Sequence, residues 1–255
     1  MNRKQSIFTT GIFLFLLLAM NETCVAQVKQ KESLGQLWTG YFNQTRFSKR
    51  WGLWFDVQAR TREDVFTGLS SVFIRPGITY YLGDATKLTA GYGYFRNYPV
   101  NTTTTVVQPE HRPWQQVQWH TKYAKMRTMQ YLRLEERYRR KIANDSTLGS
   151  GYNFNFRVRY NFLLQVPLNG PDIKKGDLSL ILNDEVHVNF GKQVVYNYFD
   201  QNRAFAGFAY HLNPADNIQF GYLNVFLQQP AGNRYRTLHA VRVAFLHNID
   251  ARAKK

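Results

Sequence analysis

Residues 153–165 read NFNFRVRYNFLLQ, and this stretch decides the fold because apolar and polar side chains alternate along it. A period of two is typical of a β-strand with one apolar and one polar face. The apolar face comprises Phe154, Phe156, Val158, Tyr160, Phe162 and Leu164, and the other face comprises Asn153, Asn155, Arg157, Arg159, Asn161 and Gln165.

The same alternation recurs along most of the chain. At 51–62, for example, Trp51, Leu53 and Val57 share one face while Asp56 and Arg60 share the other. Eleven strands are predicted, at 34–45, 51–62, 70–82, 87–98, 114–124, 129–141, 152–165, 178–190, 203–212, 217–229 and 236–248.

The length of these segments indicates how the apolar faces are covered. Most are longer than the ~5 to 6 residues common in soluble proteins, and they reach the ~9 to 11 residues with which a tilted strand crosses a bilayer. We therefore predict an all-β fold, an antiparallel up-and-down transmembrane β-barrel of 10 to 12 strands with a polar interior. A soluble sandwich, in which the apolar face packs against a second sheet, is the alternative. Because single-chain bacterial barrels have even strand numbers, we expect one of the eleven segments to be wrong or one strand to be missing.

The connections differ in length. Those near 46–50, 83–86, 125–128 and 213–216 are short, whereas those near 63–69, 99–113, 142–151 and 191–202 are longer. Short periplasmic turns opposite longer external loops are typical of outer-membrane barrels, although the connection at 166–177 does not fit. Arg112, in the predicted 99–113 loop, is a candidate contact for lipopolysaccharide phosphates, with a solvated loop charge as the alternative.

The N-terminal 26 residues have the pattern of a secretory signal peptide. Arg3 and Lys4 precede an apolar stretch, and small residues end at Ala26. We predict a signal peptide over 1–26 and one barrel domain over 27–255, located in the cell outer membrane. Cleavage removes Cys24, the sole cysteine, and the residues before it disfavour lipid attachment there. The expected partners are outer-membrane lipid, lipopolysaccharide and the barrel assembly machinery.

Composition excludes several classes of protein. The 33 Lys and Arg against 17 Asp and Glu give a net charge of +16, and 16% of the residues are aromatic. That aromatic content excludes a disordered polycation, and a mean hydropathy of −0.43 argues against a polytopic helical membrane protein. An oligonucleotide-binding barrel has five shorter strands, so we predict no nucleic-acid partner.

The strongest candidate site is the set of polar side chains that should share the interior. It has two interpretations: the charges pair and fill a narrow barrel, or they line a passage or pocket for small anions. The candidate lumen residues are Arg60, Arg133, Glu135, Arg137, Arg157 and Arg159, joined on the same face by Asp56, Asn183, Glu185 and His187.

Catalysis is the weaker hypothesis. Glu185 and His187 are candidates for a lipid-modifying enzyme, because a carboxylate two residues from a histidine could orient it loosely. Ser179 is too distant along the same strand to bond His187 directly, although a serine from another strand could complete the pair. No histidine or cysteine spacing of a metal site occurs, so no metal and no cofactor is predicted.

Several stretches, in this order along the chain, resemble the family catalogued as domain of unknown function 2490. They are Glu110-His111-Arg112-Pro113-Trp114-Gln115-Gln116, Leu132-Arg133-Leu134-Glu135-Glu136-Arg137, Phe156-Arg157-Val158-Arg159-Tyr160, Asn197-Tyr198-Phe199-Asp200-Gln201-Asn202-Arg203, Gly221-Tyr222-Leu223-Asn224 and His239. The resemblance implies an outer-membrane β-barrel and no catalytic residue. We expect a non-enzymatic protein, either a structural barrel or a narrow, porin-like pore that favours anions. A surface-binding barrel that acts through its long loops is a further alternative.

Overall fold

The fold is described by a computed structural model over residues 28–62, 68–99 and 104–252. The predicted signal peptide over 1–26 lies outside these residues. No helix in the described ranges is long and apolar enough to cross a membrane. The regular elements are β1 (Gln30–Arg46), β2 (Trp51–Thr61), β3 (Leu69–Tyr81), β4 (Thr86–Asn97), β5 (Gln108–Lys122), β6 (Arg127–Ile142), β7 (Leu148–Pro167), β8 (Leu178–Phe190), β9 (Phe199–His211), β10 (Asn217–Gln228) and β11 (Arg234–Asp250).

The eleven strands of the described residues form one closed barrel in chain order, which confirms the predicted all-β barrel of 10 to 12 strands. Consecutive strands pair antiparallel, and β1 closes the barrel by pairing with β11 in parallel, from Gln30 opposite Arg234 to Arg46 opposite Asp250. The expectation of an even strand number is wrong. With eleven strands of alternating direction, the first and the last run the same way, so only a parallel pair can close the sheet.

Each predicted segment contains one strand, but some boundaries are wrong. β5 begins at Gln108 instead of 114, because its ladder with β4 continues through Pro113 and Pro109, opposite Tyr92 and Arg96. Proline lacks only the backbone N–H donor. The pairing between β5 and β6 skips Arg112 and Pro113. The predicted 99–113 loop therefore shortens to 98–107, and Arg112 lies inside the barrel with 4% exposure, which contradicts its assignment to an external loop.

The connections divide between two ends of the barrel, here called the loop end and the turn end. The turn end carries 47–50, 82–85, 123–126, 168–177 and 212–216, and the loop end carries the other five connections. The predicted 142–151 loop is wrong, because β6 and β7 extend into a hairpin with a connection at 143–147. The 168–177 connection is long although it is at the turn end, and its Ile173 is buried.

Large apolar side chains face outward and charged ones face inward, the reverse of a soluble globular protein. Leu53, Tyr160 and Leu182 are 42 to 47% exposed, whereas Asp56 and Glu135 on the opposite face are fully buried. The alternation in the sequence thus corresponds to the two faces of the wall. Two outward carboxylates, Glu136 and Asp184, interrupt the apolar exterior, and Asp184 accepts hydrogen bonds from Asn202 at 3.0 and 3.1 Å.

Two glycines let β9 and β10 approach closely. Gly207 and Gly221 lie opposite each other and face inward, and a Cβ on Gly221 would lie 2.5 Å from the Cα of Gly207. Backbone atoms cannot give way as a flexible side chain can, so only glycine fits at this crossing.

We predict that Gly221→Ala lowers the free energy of unfolding by about 1 to 3 kcal/mol, as overpacking does at other well-packed sites. The measurement is urea unfolding of the refolded protein in lipid vesicles. Gly83→Ala, in the β3–β4 turn where an added Cβ meets nothing within 4 Å, is the control and should unfold like the wild type. Equal stability of the two variants would contradict the proposed close contact.

Candidate functional site: a charged cavity inside the barrel

Glu135 of β6 is a fully buried carboxylate surrounded by three arginines. Its oxygens lie 2.5 Å from guanidinium nitrogens of both Arg157 and Arg159 on β7, and 3.6 Å from Arg112 on β5. Its side chain is fully buried, so these three cations replace water as its solvation.

Two further carboxylates extend this network toward the loop end. Glu110 of β5 accepts hydrogen bonds of 2.7 Å from Arg112 and from Arg137. Asp200 of β9 accepts one of 2.8 Å from Arg157 and lies 3.9 Å from Arg137. Arg137 and Arg157 each bridge two acids, so the network links β5, β6, β7 and β9 across the interior.

Glu185 of β8 joins the network from the other side. It lies 3.2 Å from Arg203, 3.5 Å from Arg159 and 2.7 Å from Nε2 of His187, and it accepts a hydrogen bond from the Tyr131 hydroxyl. A carboxylate with this many donors is held in one orientation.

Asp56 of β2 forms a separate pair. The Nε and an Nη of Arg75 donate to it at 3.1 and 2.9 Å, and the Trp54 indole and the Gln58 amide donate at 2.8 and 2.9 Å. The interior therefore contains two groups of buried paired charges, one on β2 and β3 and the larger one on β5 to β9, and a more exposed pair joins Glu32 of β1 to Arg236 of β11 at 2.7 Å.

Of the ten residues predicted to share the interior, six lie in the large network: Glu135, Arg137, Arg157, Arg159, Glu185 and His187. Asn183 borders it, donating to Asn161 at 2.8 Å. Arg60 and Arg133 lie apart from these ion pairs and face the open part of the lumen.

Sequence reasoning missed Glu110, Arg112 and Asp200 because it placed them in loops, and it did not single out Arg75, Arg203 and Arg242. The last three lie within the predicted strands on the inward parity. Strand parity could have identified them.

A cavity of about 510 Å³ occupies the space beside the network. Its lining runs from Asn97 and Leu227 near the loop end to Ala215 and Asn248 near the turn end. It therefore extends along most of the barrel axis.

Four arginines line this cavity without an ion pair to any described residue. Arg127 donates a hydrogen bond to the Pro171 carbonyl at 3.2 Å, and the other three are Arg60, Arg133 and Arg242. Their guanidinium groups lie over aromatic rings, Arg60 at 3.7 Å from the Trp38 ring centre, Arg133 at 4.3 Å from Trp114 and Arg242 at 4.8 Å from Phe205. Cation–π contacts attract a cation but leave its charge uncompensated.

The cavity also has an apolar side. Leu163, Leu223, Leu227 and Leu238 line it together with Trp38. Behind them Ile181, Phe205 and Val225 form the buried apolar core, which lies on the β8–β11 side of the lumen and includes β1 through Trp38. The cavity lining thus combines arginines with leucines, and Arg242 on β11 lies over Phe205 of the apolar core.

The catalytic candidates are enclosed. His187 is fully buried between Glu185 and Gln201, whose amide nitrogen lies 3.1 Å from His187 Nδ1. Ser179 contacts a histidine on the neighbouring strand instead, with Oγ 2.9 Å from Nε2 of His211. Ser179 is itself fully buried and accepts a hydrogen bond from Gln165, so this hydroxyl is sequestered from any substrate in the cavity. Across the described residues, no group of three or more His, Cys, Asp or Glu side chains could hold a metal ion.

Fold and interior together define a class of protein: a closed β-barrel with an apolar exterior and an ion-paired, arginine-rich interior. The chain belongs to the family described as "Protein of unknown function (DUF2490)", whose model matches residues 35–236. An uncharacterised protein of Methylorubrum extorquens is 24% identical over 198 residues, which are 74% of this chain and 77% of that protein. No solved structure matches the chain. The family resemblance of the sequence motifs is thereby confirmed.

We predict that Glu135→Gln destabilises the barrel by about 3 to 5 kcal/mol, because it leaves Arg157 and Arg159 buried without their shared counter-charge. The measurement is denaturant unfolding in vesicles. Asp84→Asn is the control, since Asp84 bonds Arg46 at 2.6 Å but is 88% exposed, and it should change stability little. A Glu135→Gln protein as stable as the control would show that the network does not support the fold.

Proposed function

We propose that this protein is an outer-membrane β-barrel that admits small anions into a narrow, arginine-lined passage. The proposal has two parts, the location in a membrane and the preference for anions, and each has its own support.

The exterior supports insertion in a bilayer. The strands are 11 to 20 residues long, enough to cross the hydrocarbon layer with a tilt. Outward aromatic pairs occur near both ends of the wall, as in the aromatic girdles of membrane barrels. Trp51 and Tyr80 lie 5.0 Å apart near the turn end, and Tyr138 and Phe154 lie 4.7 Å apart near the loop end. The predicted signal peptide favours export to the outer membrane.

The excess of cationic side chains inside the barrel is the observation that supports a preference for anions. The carboxylates of the two groups of buried ion pairs are Asp56, Glu110, Glu135, Glu185 and Asp200, whereas the arginines that line the cavity are Arg60, Arg75, Arg112, Arg127, Arg133, Arg137, Arg157, Arg159, Arg203 and Arg242. A passage with more fixed positive than negative charge attracts anions and repels cations.

Single-channel recording in planar bilayers tests both parts. We expect small, stable openings with a chloride-to-potassium permeability ratio above unity in the wild type. The double variant Arg60→Gln and Arg242→Gln should lower this ratio toward unity, because both side chains face the cavity without an ion pair to a described residue. These positions are preferable to Arg157 and Arg159, which hold Glu135 in place.

The matched control for this recording is Arg50→Gln. Arg50 lies in the exposed turn after β1 and bonds the Tyr80 hydroxyl at 2.6 Å, so the same substitution there removes an arginine charge outside the lumen. It should leave the permeability ratio unchanged. A folded, inserted wild-type protein without openings, or without selectivity, would refute the anion passage.

The 168–177 connection should limit conductance at the turn end. Ile173 is only 8% exposed and lines the cavity there, which narrows the opening. We predict that Ile173→Ser raises the conductance, whereas Leu168→Ser, at a 54% exposed position of the same connection, does not. Equal conductance of the two variants would mean that the narrowest point lies elsewhere.

A lipid-modifying enzyme is the alternative function. It has less support, because Ser179 and His187 are buried and His187 is not among the residues that line the cavity. Lipid hydrolysis by the purified barrel that is lost in Ser179→Ala, with the barrel still folded, would favour it.

A further inference from the structure

We propose that the cavity binds an amphiphilic anion, a carboxylate or phosphate head on an unbranched apolar chain. This inference rests on the proposed anion-accepting interior and adds the chemical class of the ligand.

The head of such a ligand would meet the arginines at the cavity. The charge of Arg60 is repelled by those of Arg203, Arg159, Arg75 and Arg112. An anion beside Arg60 would therefore relieve several repulsions at once. Guanidinium groups match the paired oxygens of carboxylates and phosphates in geometry as well as charge.

Hydrogen-bonding capacity at the same place is unused. The Nε donors of Arg60, Arg159 and Arg203 are buried and have no acceptor among the described residues. Buried donors of charged groups without a partner are costly. Oxygens of a bound head group would accept from them.

The apolar part of the cavity lining offers no hydrogen bond or charge to an inorganic ion. Leu163, Leu223, Leu227 and Leu238 present apolar surface there, which favours a hydrocarbon chain removed from water. The volume of about 510 Å³ is in the range of ~300 to 1,000 Å³ typical of small-molecule sites. A neutral lipid would fill the apolar side but leave the arginines uncompensated.

Trp38 joins the two sides. The guanidinium of Arg60 lies 3.7 Å from its ring centre and that of Arg203 lies 5.2 Å from it, while the same indole belongs to the apolar core with Leu223 and Leu238. A ligand with its head at Arg60 can therefore place the first part of its chain directly against the leucines.

The test is calorimetric titration of the full mature barrel in nanodiscs of zwitterionic lipid, with the heats of empty nanodiscs subtracted. The probes are decanoate, monodecyl phosphate, acetate and 1-decanol. Each buried methylene strengthens binding by about fourfold, so burial of three already predicts decanoate binding about sixtyfold tighter than acetate. Decanol should bind much more weakly than decanoate, and the tighter of the two amphiphilic anions identifies the preferred head.

Two variants distinguish the contribution of the head group to binding from that of the hydrocarbon chain. Leu238→Asn should weaken decanoate by at least about tenfold, the loss of a few methylene contacts, and leave acetate binding and anion selectivity unchanged. Arg60→Gln should weaken decanoate and acetate together. Leu168→Asn, outside the barrel wall and 54% exposed, is the control and should bind decanoate like the wild type.

Each negative result shows which of the two proposals has failed. If channels select anions but decanoate binds no tighter than acetate, the amphiphile inference is overturned and the anion passage stands. If decanol binds as tightly as decanoate, the site is merely apolar and the inference is also overturned. If neither acetate nor decanoate binds and no selectivity is recorded, the proposed function itself has failed.

Discussion

A closed sheet has one interior, and a charge that is enclosed there without water must be solvated by other side chains. Glu135 shows the consequence most clearly, since it is fully buried and is held by Arg157 and Arg159 at 2.5 Å. No bulk water reaches it, so its solvation comes from side chains of the next strands. Arg157 and Arg137 satisfy the same constraint, because each of these cations is shared between two carboxylates on different strands.

The interior contains more positive than negative side chains, and this excess of positive charge is the basis of its proposed role. The paired charges on β5 to β9 fill part of the lumen and brace neighbouring strands, which is the structural interpretation of the charged parity. Arg60, Arg133 and Arg242 remain beside an open cavity. The structural and anion-binding interpretations are therefore compatible, because they apply to different arginines of the same interior.

The odd strand number has its own geometric effect. Parallel closure sets β1 beside β11, so Trp38 is opposite Arg242 in the ladder and lies near the apolar residues of β10 and β11. At this seam, arginines and leucines that line the cavity lie side by side.

The sequence by itself determined the strands and their faces. The period of two decides which side chains share a face, and the length of each alternating run separates a strand from a turn, so eleven strands and the inward positions of Asp56, Glu135 and Arg157 could be predicted. It could not determine partners across the wall. Where alternation continues through prolines, as at Pro109 and Pro113, the strand limit depends on the neighbouring ladder, and Arg112 was misplaced for that reason. Ion pairs such as Arg157 with Asp200, and the cavity left among them, depend on register, stagger and closure. Only the tertiary structure decides these, because they arise from contacts between residues far apart in the chain.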